Sequence, residues 1–299
     1  MCKLKKKGLL ILHSTGDLFP VGETTVVFTA QDLAGNITEQ QFVVTVIDDE
    51  LPEIAGVSAD IQIDTDAGLC SAVVNWVSEE SSDNCGVFEH SSSHQPGDLF
   101  ELGTTTVEIT VTDVNENTSI STFNVIVVDN EAPSILGLPE NISTESDEGV
   151  CGALINWVEP TAADNCQIVG LSSDIQSGTL FEVGNTVVTY TVGDPSGNST
   201  SSSFVVTVTD TEAPTIADMP ADVSLSAQAG QCGSTFDWIP PTVTDNCQIS
   251  TVESTQQPGD FFIVGSTTVT YTATDNAGHV TTASFTVDVL DEEVPVIHD

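Results

Sequence analysis

Six cysteines fall into three pairs, Cys70 with Cys85, Cys151 with Cys166 and Cys232 with Cys247, with 14 residues between partners each time. A lone pair with no histidine nearby is a poor zinc site, because structural zinc takes four Cys or His ligands. The spacing therefore predicts one disulfide per pair, formed in an oxidising compartment. Closing a loop of about 15 residues is worth roughly 3 kcal/mol in the chain-entropy picture. Cys2 is left over.

Carboxylates form the second group. Asp48, Asp129, Asp210 and Asp291 recur at one interval, and Glu50, Glu131, Glu212 and Glu293 follow them by two residues. Asp32, Asp113, Asp194 and Asp275 recur in the same way, as do Asp83, Asp164 and Asp245. Hard oxygen donors gathered at such positions suit Ca²⁺. The expected ligands are Asp48, Glu50, Asp129, Glu131, Asp194, Asp210, Glu212 and Asp275. The competing reading is an acidic surface suited to high salt, where self-repulsion is screened. For catalysis there is no nucleophile–histidine arrangement, no phosphate loop and no basic group for an oxyanion, so a non-enzymatic chain is expected.

The charge balance narrows the partners. There are 45 acidic residues against 4 basic ones, a net charge of −41, and all four lysines lie within the first seven positions. A polyanion without a cationic patch is no partner for nucleic acid or an anionic membrane surface. Internal Lys or Arg salt bridges are excluded from Gly8 to Asp299. The 39% apolar content still allows packed cores, against disorder. No apolar run is long enough to span a membrane, and Gly8–Leu12 is too short for a signal-peptide core.

The elements that must position these groups repeat every 81 residues. Trp76, Trp157 and Trp238 keep that step, as do Phe19, Phe100, Phe181 and Phe262, and Pro52, Pro133, Pro214 and Pro295. The expected organisation is a non-repeat segment 1–12, a half repeat 13–49, complete repeats 50–130, 131–211 and 212–292, and the start of another at 293–299. Strict alternation (Val188, Tyr190, Val192; Phe204, Val206, Val208) predicts strands. The Asp-x-x-Gly-Asn segments between the two runs predict hairpin turns. Cys151, Ala153, Ile155 and Trp157 share one face, so the tryptophans read as core rather than as a sugar-stacking platform. The fold class is all-β: tandem immunoglobulin-like β-sandwich repeats of about seven strands, joined as an extended rod.

These motifs together resemble the hyalin repeat (HYR) domain family. The signature runs Glu-x-Pro-x-Ile, Gly-x-Cys (Gly68–Cys70, Gly149–Cys151, Gly230–Cys232), Trp, Asp-Asn-Cys (83–85, 164–166, 245–247), Phe-x-x-Gly and the hairpin turn. Glu116 stands where Gly is usual, and His279 replaces the turn Asn. The resemblance implies secreted or cell-surface proteins in adhesive contexts, and the acidic junction is similar in style to cadherin calcium linkers. The expected function is an extracellular spacer or interaction scaffold stiffened by calcium, in contact with further repeats of the same array. The alternatives are a module binding a protein or glycan ligand, or an accessory region of a larger secreted hydrolase. Asn36, Asn117, Asn141 and Asn198 fit the N-glycosylation pattern, but the hairpin turn explains three of them without sugar.

Overall fold

The structure is a computed structural model that describes residues 9–11 and 16–295. Cys2, the four lysines, His13 and His298 lie outside the described residues. Among the described residues every regular element is a strand, and the chain divides into two compact units, residues 1–131 and 132–299.

In the second unit, the repeat from residue 131 is built on a long antiparallel hairpin, Gly184–Gly193 with Ser199–Thr209, in which Val188 opposes Phe204. Ile142–Glu145 adds parallel to one edge and Gly170–Ser173 antiparallel to the other. The opposing layer is two short pairs, Ser134–Leu136 with Thr161–Ala163 and Gly152–Ile155 with Thr179–Glu182. There are thus eight strands rather than about seven. Alternation places Val188, Tyr190, Phe204, Val206 and Val208 against Ala153, Ile155 and Phe181 in one core. Trp157 closes that core edge-on to Phe181 and Phe204, with ring centroids 6.0 and 5.3 Å away, and its indole N–H donates to Tyr190 Oη at 2.7 Å. The tryptophan is core, as its alternation predicts. The following repeat preserves the architecture, with Trp238 bonded to Tyr271.

The first unit holds the same sandwich around Phe100, Val107, Ile109, Val111, Phe123, Val125 and Val127. Before it come only a hairpin, Gly22–Gln31 with Ile37–Val46, and an edge strand, Leu9–Ile11. Ile11 opposes Phe28 just as Ser92 opposes Ile109 one repeat later. The repeat therefore begins inside the segment 1–12, which the sequence reading set aside as non-repeat. No second layer covers this hairpin among the described residues. Phe42 is accordingly 48% exposed, whereas its counterpart Phe123 is 3% exposed.

Candidate functional site

Each hairpin turn is organised by its aspartate. Asp113 Oδ1 accepts the N–H groups of Asn115 and Asn117 at 2.8 and 2.9 Å, and Oδ2 accepts Asn117 Nδ2 at 2.7 Å. Burial alone would raise the Asp113 carboxyl, but the Asn117 side chain and the turn amides outweigh it and hold the pKa below the usual range. Asp194 is held the same way by Asn198. In the last turn His279 takes the asparagine's place, with Nδ1 2.8 Å from Asp275 Oδ2. That hydrogen bond, partly opposed by desolvation, raises the histidine pKa. The turn fixes Gly197 at φ 99°, and Glu116 is forced to φ 75° at the corresponding position.

The Gly-x-Cys turns are held from a distance. Gly149, at φ 68°, donates its N–H to Glu212 Oε1 at 2.7 Å, 63 residues ahead. Gly68 donates to Glu131 and Gly230 to Glu293, both at 3.0 Å. The linker glutamates therefore cap the cysteine turn of the repeat that they follow. Glu50 instead accepts Asn84 Nδ2.

This arrangement sends the two cysteines of a repeat to opposite poles. The Gly-x-Cys turn stays beside the end of its own last strand. The Asp-Asn-Cys loop stays beside its own hairpin turn, where Val114 N bonds Gly86 O and Asn276 N bonds Gln248 O. A disulfide needs Cα atoms within about 7 Å. The bond that forms is Cys151–Cys247, with Cα atoms 4.6 Å apart and 96 residues between them in sequence. It joins one repeat to the next. Cys70 and Cys166 are also disulfide-bonded, while Cys85 and Cys232 are free and exposed. The expected pairs Cys70–Cys85, Cys151–Cys166 and Cys232–Cys247 are therefore all replaced.

The acidic groups meet at the same pole. In the second unit Asp210, Asp275 and His279 present ligand atoms within 4.8 Å of one another, and the two aspartates are 3% and 2% exposed. Asn246 Nδ2 bridges Asp210 Oδ1 (3.2 Å) and Val150 O (3.3 Å), tying the loop to the cysteine turn of the preceding repeat. Asp245 Oδ1 and Asn246 Oδ1 are buried there without a hydrogen-bond partner. In the first unit Asp48, Asp83 and Cys85 form the corresponding group, with Asn115 Nδ2 donating to Asp48 at 2.7 Å and Asp83 Oδ1 left buried and unbonded. Hydrogen bonding to Asp48, with burial and the surrounding carboxylates, pushes the Cys85 thiol up to about 11. Asp129, Asp164 and Asp194 hold the same positions in the sequence; Asp129 and Asp194 are 4% and 6% exposed. Among the expected ligands, the glutamates 131 and 212 are engaged by glycine amides. Asp83, Asp164 and Asp245 recur in the sequence but are not among the expected ligands, and the asparagines beside them, Asn84, Asn165 and Asn246, were the missed signal.

A family model for the HYR domain matches residues 9–46, 47–127, 128–208 and 209–289. The chain belongs to the HYR domain family. Two relatives are named hyalin. One, from Lytechinus variegatus, is 36% identical over 288 residues, covering 93% of this chain and 54% of the relative. The other, from Strongylocentrotus purpuratus, is 37% identical over 289 residues, covering 93% and 24%. The chain thus spans about half of one HYR relative and a quarter of the other. Among solved structures, the protocadherin GammaB4 extracellular domain matches 91% of the chain and 56% of its own length, at 15% identity and a TM-score of 0.32. Drosophila N-cadherin EC1-4 covers 92% of this chain and 85% of its own, at 13% identity and a TM-score of 0.30.

Proposed function

We propose that this HYR chain is a non-enzymatic part of an extracellular adhesion-type array, a spacer and interaction scaffold whose repeats are laced to one another. The observation that carries the reading is the Cys151–Cys247 bond. A disulfide that links successive repeats limits their independent movement and persists only in an oxidising compartment. HYR membership and similarity to the hyalins support an adhesive setting.

The junction carboxylates fit calcium. Asp210 and Asp275 are buried, no Lys or Arg follows Lys7, and the orphaned oxygens of Asp83, Asp245 and Asn246 lie at the same loops. Buried carboxylates that outnumber their one counter-charge, His279 beside Asp275, call for a further cation, and oxygen donors of this kind suit Ca²⁺. Asp210, Asp245 and Asp275 would hold it in the second unit, and Asp48, Asp83 and Asp113 in the first; Asp129, Asp164 and Asp194 are the sequence equivalents. Bound calcium would replace carboxylate repulsion with a shared ligand set. A ligand specific for the folded state adds about 2.7 kcal/mol at a hundredfold excess over Kd. The test is thermal unfolding and solution scattering in millimolar calcium, compared with chelator at matched ionic strength. A higher melting temperature with calcium but not magnesium supports the reading; equal effects of the two ions, or of plain salt, reduce the junctions to a screened acidic surface.

A further inference from the structure

Four asparagines head Asn-x-Ser/Thr sequences, and the structure separates one of them from the other three. Asn36, Asn117 and Asn198 sit in hairpin turns, and each spends its side-chain amide on the turn aspartate. Nδ2 donates to Oδ2 of Asp32 at 2.9 Å, of Asp113 at 2.7 Å and of Asp194 at 2.8 Å. Asn117 Nδ2 also donates to Asp48 O at 3.2 Å, so both of its hydrogens are engaged. In the last turn His279 Nδ1 faces Asp275 Oδ2 from the same position. What the turn selects is a partner for its aspartate.

Asn141 stands elsewhere, at the entry to the edge strand Ile142–Glu145. It is exposed, and its Oδ1 accepts the Val205 N–H at 2.8 Å. The neighbouring repeats make this bond with carboxylates. Asp60 Oδ1 accepts the Asn124 N–H and Asp222 Oδ1 the Thr286 N–H, both at 2.8 Å. The fold therefore asks one acceptor oxygen of this position, and aspartate supplies it as well as asparagine. Among the described residues no hydrogen bond engages Asn141 Nδ2, so its NH₂ is surplus to the fold. Ser143 provides the hydroxyl two residues on that the acceptor pattern requires.

We propose that Asn141 carries an N-linked glycan and that the three turn asparagines do not. Nδ2 attacks the anomeric carbon of a lipid-pyrophosphate-linked oligosaccharide. The carbon–nitrogen bond forms as the carbon–oxygen bond to pyrophosphate breaks, the lipid pyrophosphate departs, and Nδ2 gives up one proton. Oδ1 is not consumed, so its bond to the Val205 N–H survives in the product. At Asn117 the same reaction removes a hydrogen that Asp113 or Asp48 holds, in a part-buried turn where a lost partner is costly. Sugar and folding compete at the turns and coexist at Asn141. The proposal rests on the extracellular reading, because the transfer occurs in the secretory lumen.

The test expresses the full chain behind a cleavable export signal in a glycosylating host. Enzymatic release of sugar in heavy-oxygen water leaves a labelled aspartate wherever a glycan stood, read by peptide mass spectrometry. Label is expected at Asn141 and not at Asn36, Asn117 or Asn198. Asn141→Asp, which installs the residue of the neighbouring repeats, and Ser143→Ala should each abolish it and leave the melting temperature of the sugar-free protein unchanged. Two gain variants in the last repeat set position against motif. Asp222→Asn creates Asn-Val-Ser at the strand entry and should add one glycan, whereas His279→Asn creates Asn-Val-Thr in the turn and should add none. The Cys151–Cys247 bond in the same sample reports folding in an oxidising lumen. With that bond formed, a bare Asn141, or sugar at Asn117 or Asn198 in equal occupancy, overturns the proposal and leaves the extracellular reading standing. Sugar at Asn141 without the bond would support the proposal and count against the disulfide reading alone.

Discussion

Replacing Cys247 with serine should free Cys151 and leave every other cysteine as it was. The bond spans 96 residues, so the loop it closes in the unfolded chain is about six times longer than a Cys151–Cys166 bond would close. In the chain-entropy picture a loop of about 100 residues is worth roughly 4.7 kcal/mol, against about 3 kcal/mol for 15 residues. At the usual 2–4 °C per kcal/mol for a unit of this size, its loss should lower the melting temperature of the second unit by about 10–20 °C. Cys151→Ser and the double variant should match Cys247→Ser, since each removes the same bond. The pairing itself is read by mass spectrometry of unreduced digests. Trypsin has no site after Lys7, but cleavage after glutamate gives 149–182, since the Glu159–Pro160 bond resists it, and 213–253; cleavage before aspartate then parts Cys151 in 149–163 from Cys166 in 164–173, and Cys232 from Cys247. A covalent pair of 149–163 with the Cys247 peptide is expected. A pair of 149–163 with 164–173, or a Cys247→Ser variant in which Cys151 stays unlabelled, refutes the argument from opposite poles.

Glu116→Gly relieves a non-glycine residue at φ 75° and should raise the denaturation midpoint of the first unit by about 0.5–1 kcal/mol in free energy. Tyr190→Phe orphans the Trp157 N–H and should cost about 1–3 kcal/mol in chemical denaturation followed by tryptophan fluorescence. Glu212→Ala removes the acceptor of the Gly149 N–H; a loss of about 1 kcal/mol is expected, whereas an unchanged midpoint would show that water replaces the carboxylate. Cys85, pushed up to about 11, holds little thiolate at pH 8. It should alkylate roughly tenfold or more slowly than an ordinary thiol, with the rate climbing through pH 10–11, and Asp48→Asn should speed it by lowering the pKa.

What was legible in the sequence was local. The alternation of Val188, Tyr190 and Val192 and the turn at Asp194–Asn198 need only neighbours to be understood, and the structure follows both. The tryptophan's burial was legible for the same reason, since it shares a strand face with Ala153 and Ile155. The cysteine pairing was not. A spacing of 14 residues measures distance along the chain, while the strands between Cys151 and Cys166 carry them to opposite ends of the sandwich. The linker glutamates misled in a related way: their recurrence is real, but their partners are backbone amides 63 residues earlier, which no side-chain pattern announces.

The 96-residue reach of the junction disulfide imposes an order on biosynthesis. At about 5–20 residues per second, Cys166 follows Cys151 from the ribosome within about 1–3 s, whereas Cys247 arrives only after roughly 5–20 s. The wrong partner is always first on the scene. Native pairing must therefore wait until the first sandwich has closed and carried Cys166 out of range, or be recovered by thiol exchange. Each sandwich acts as a proofreader of its own cysteines, and secretion without an isomerase should enrich chains trapped in the Cys151–Cys166 form.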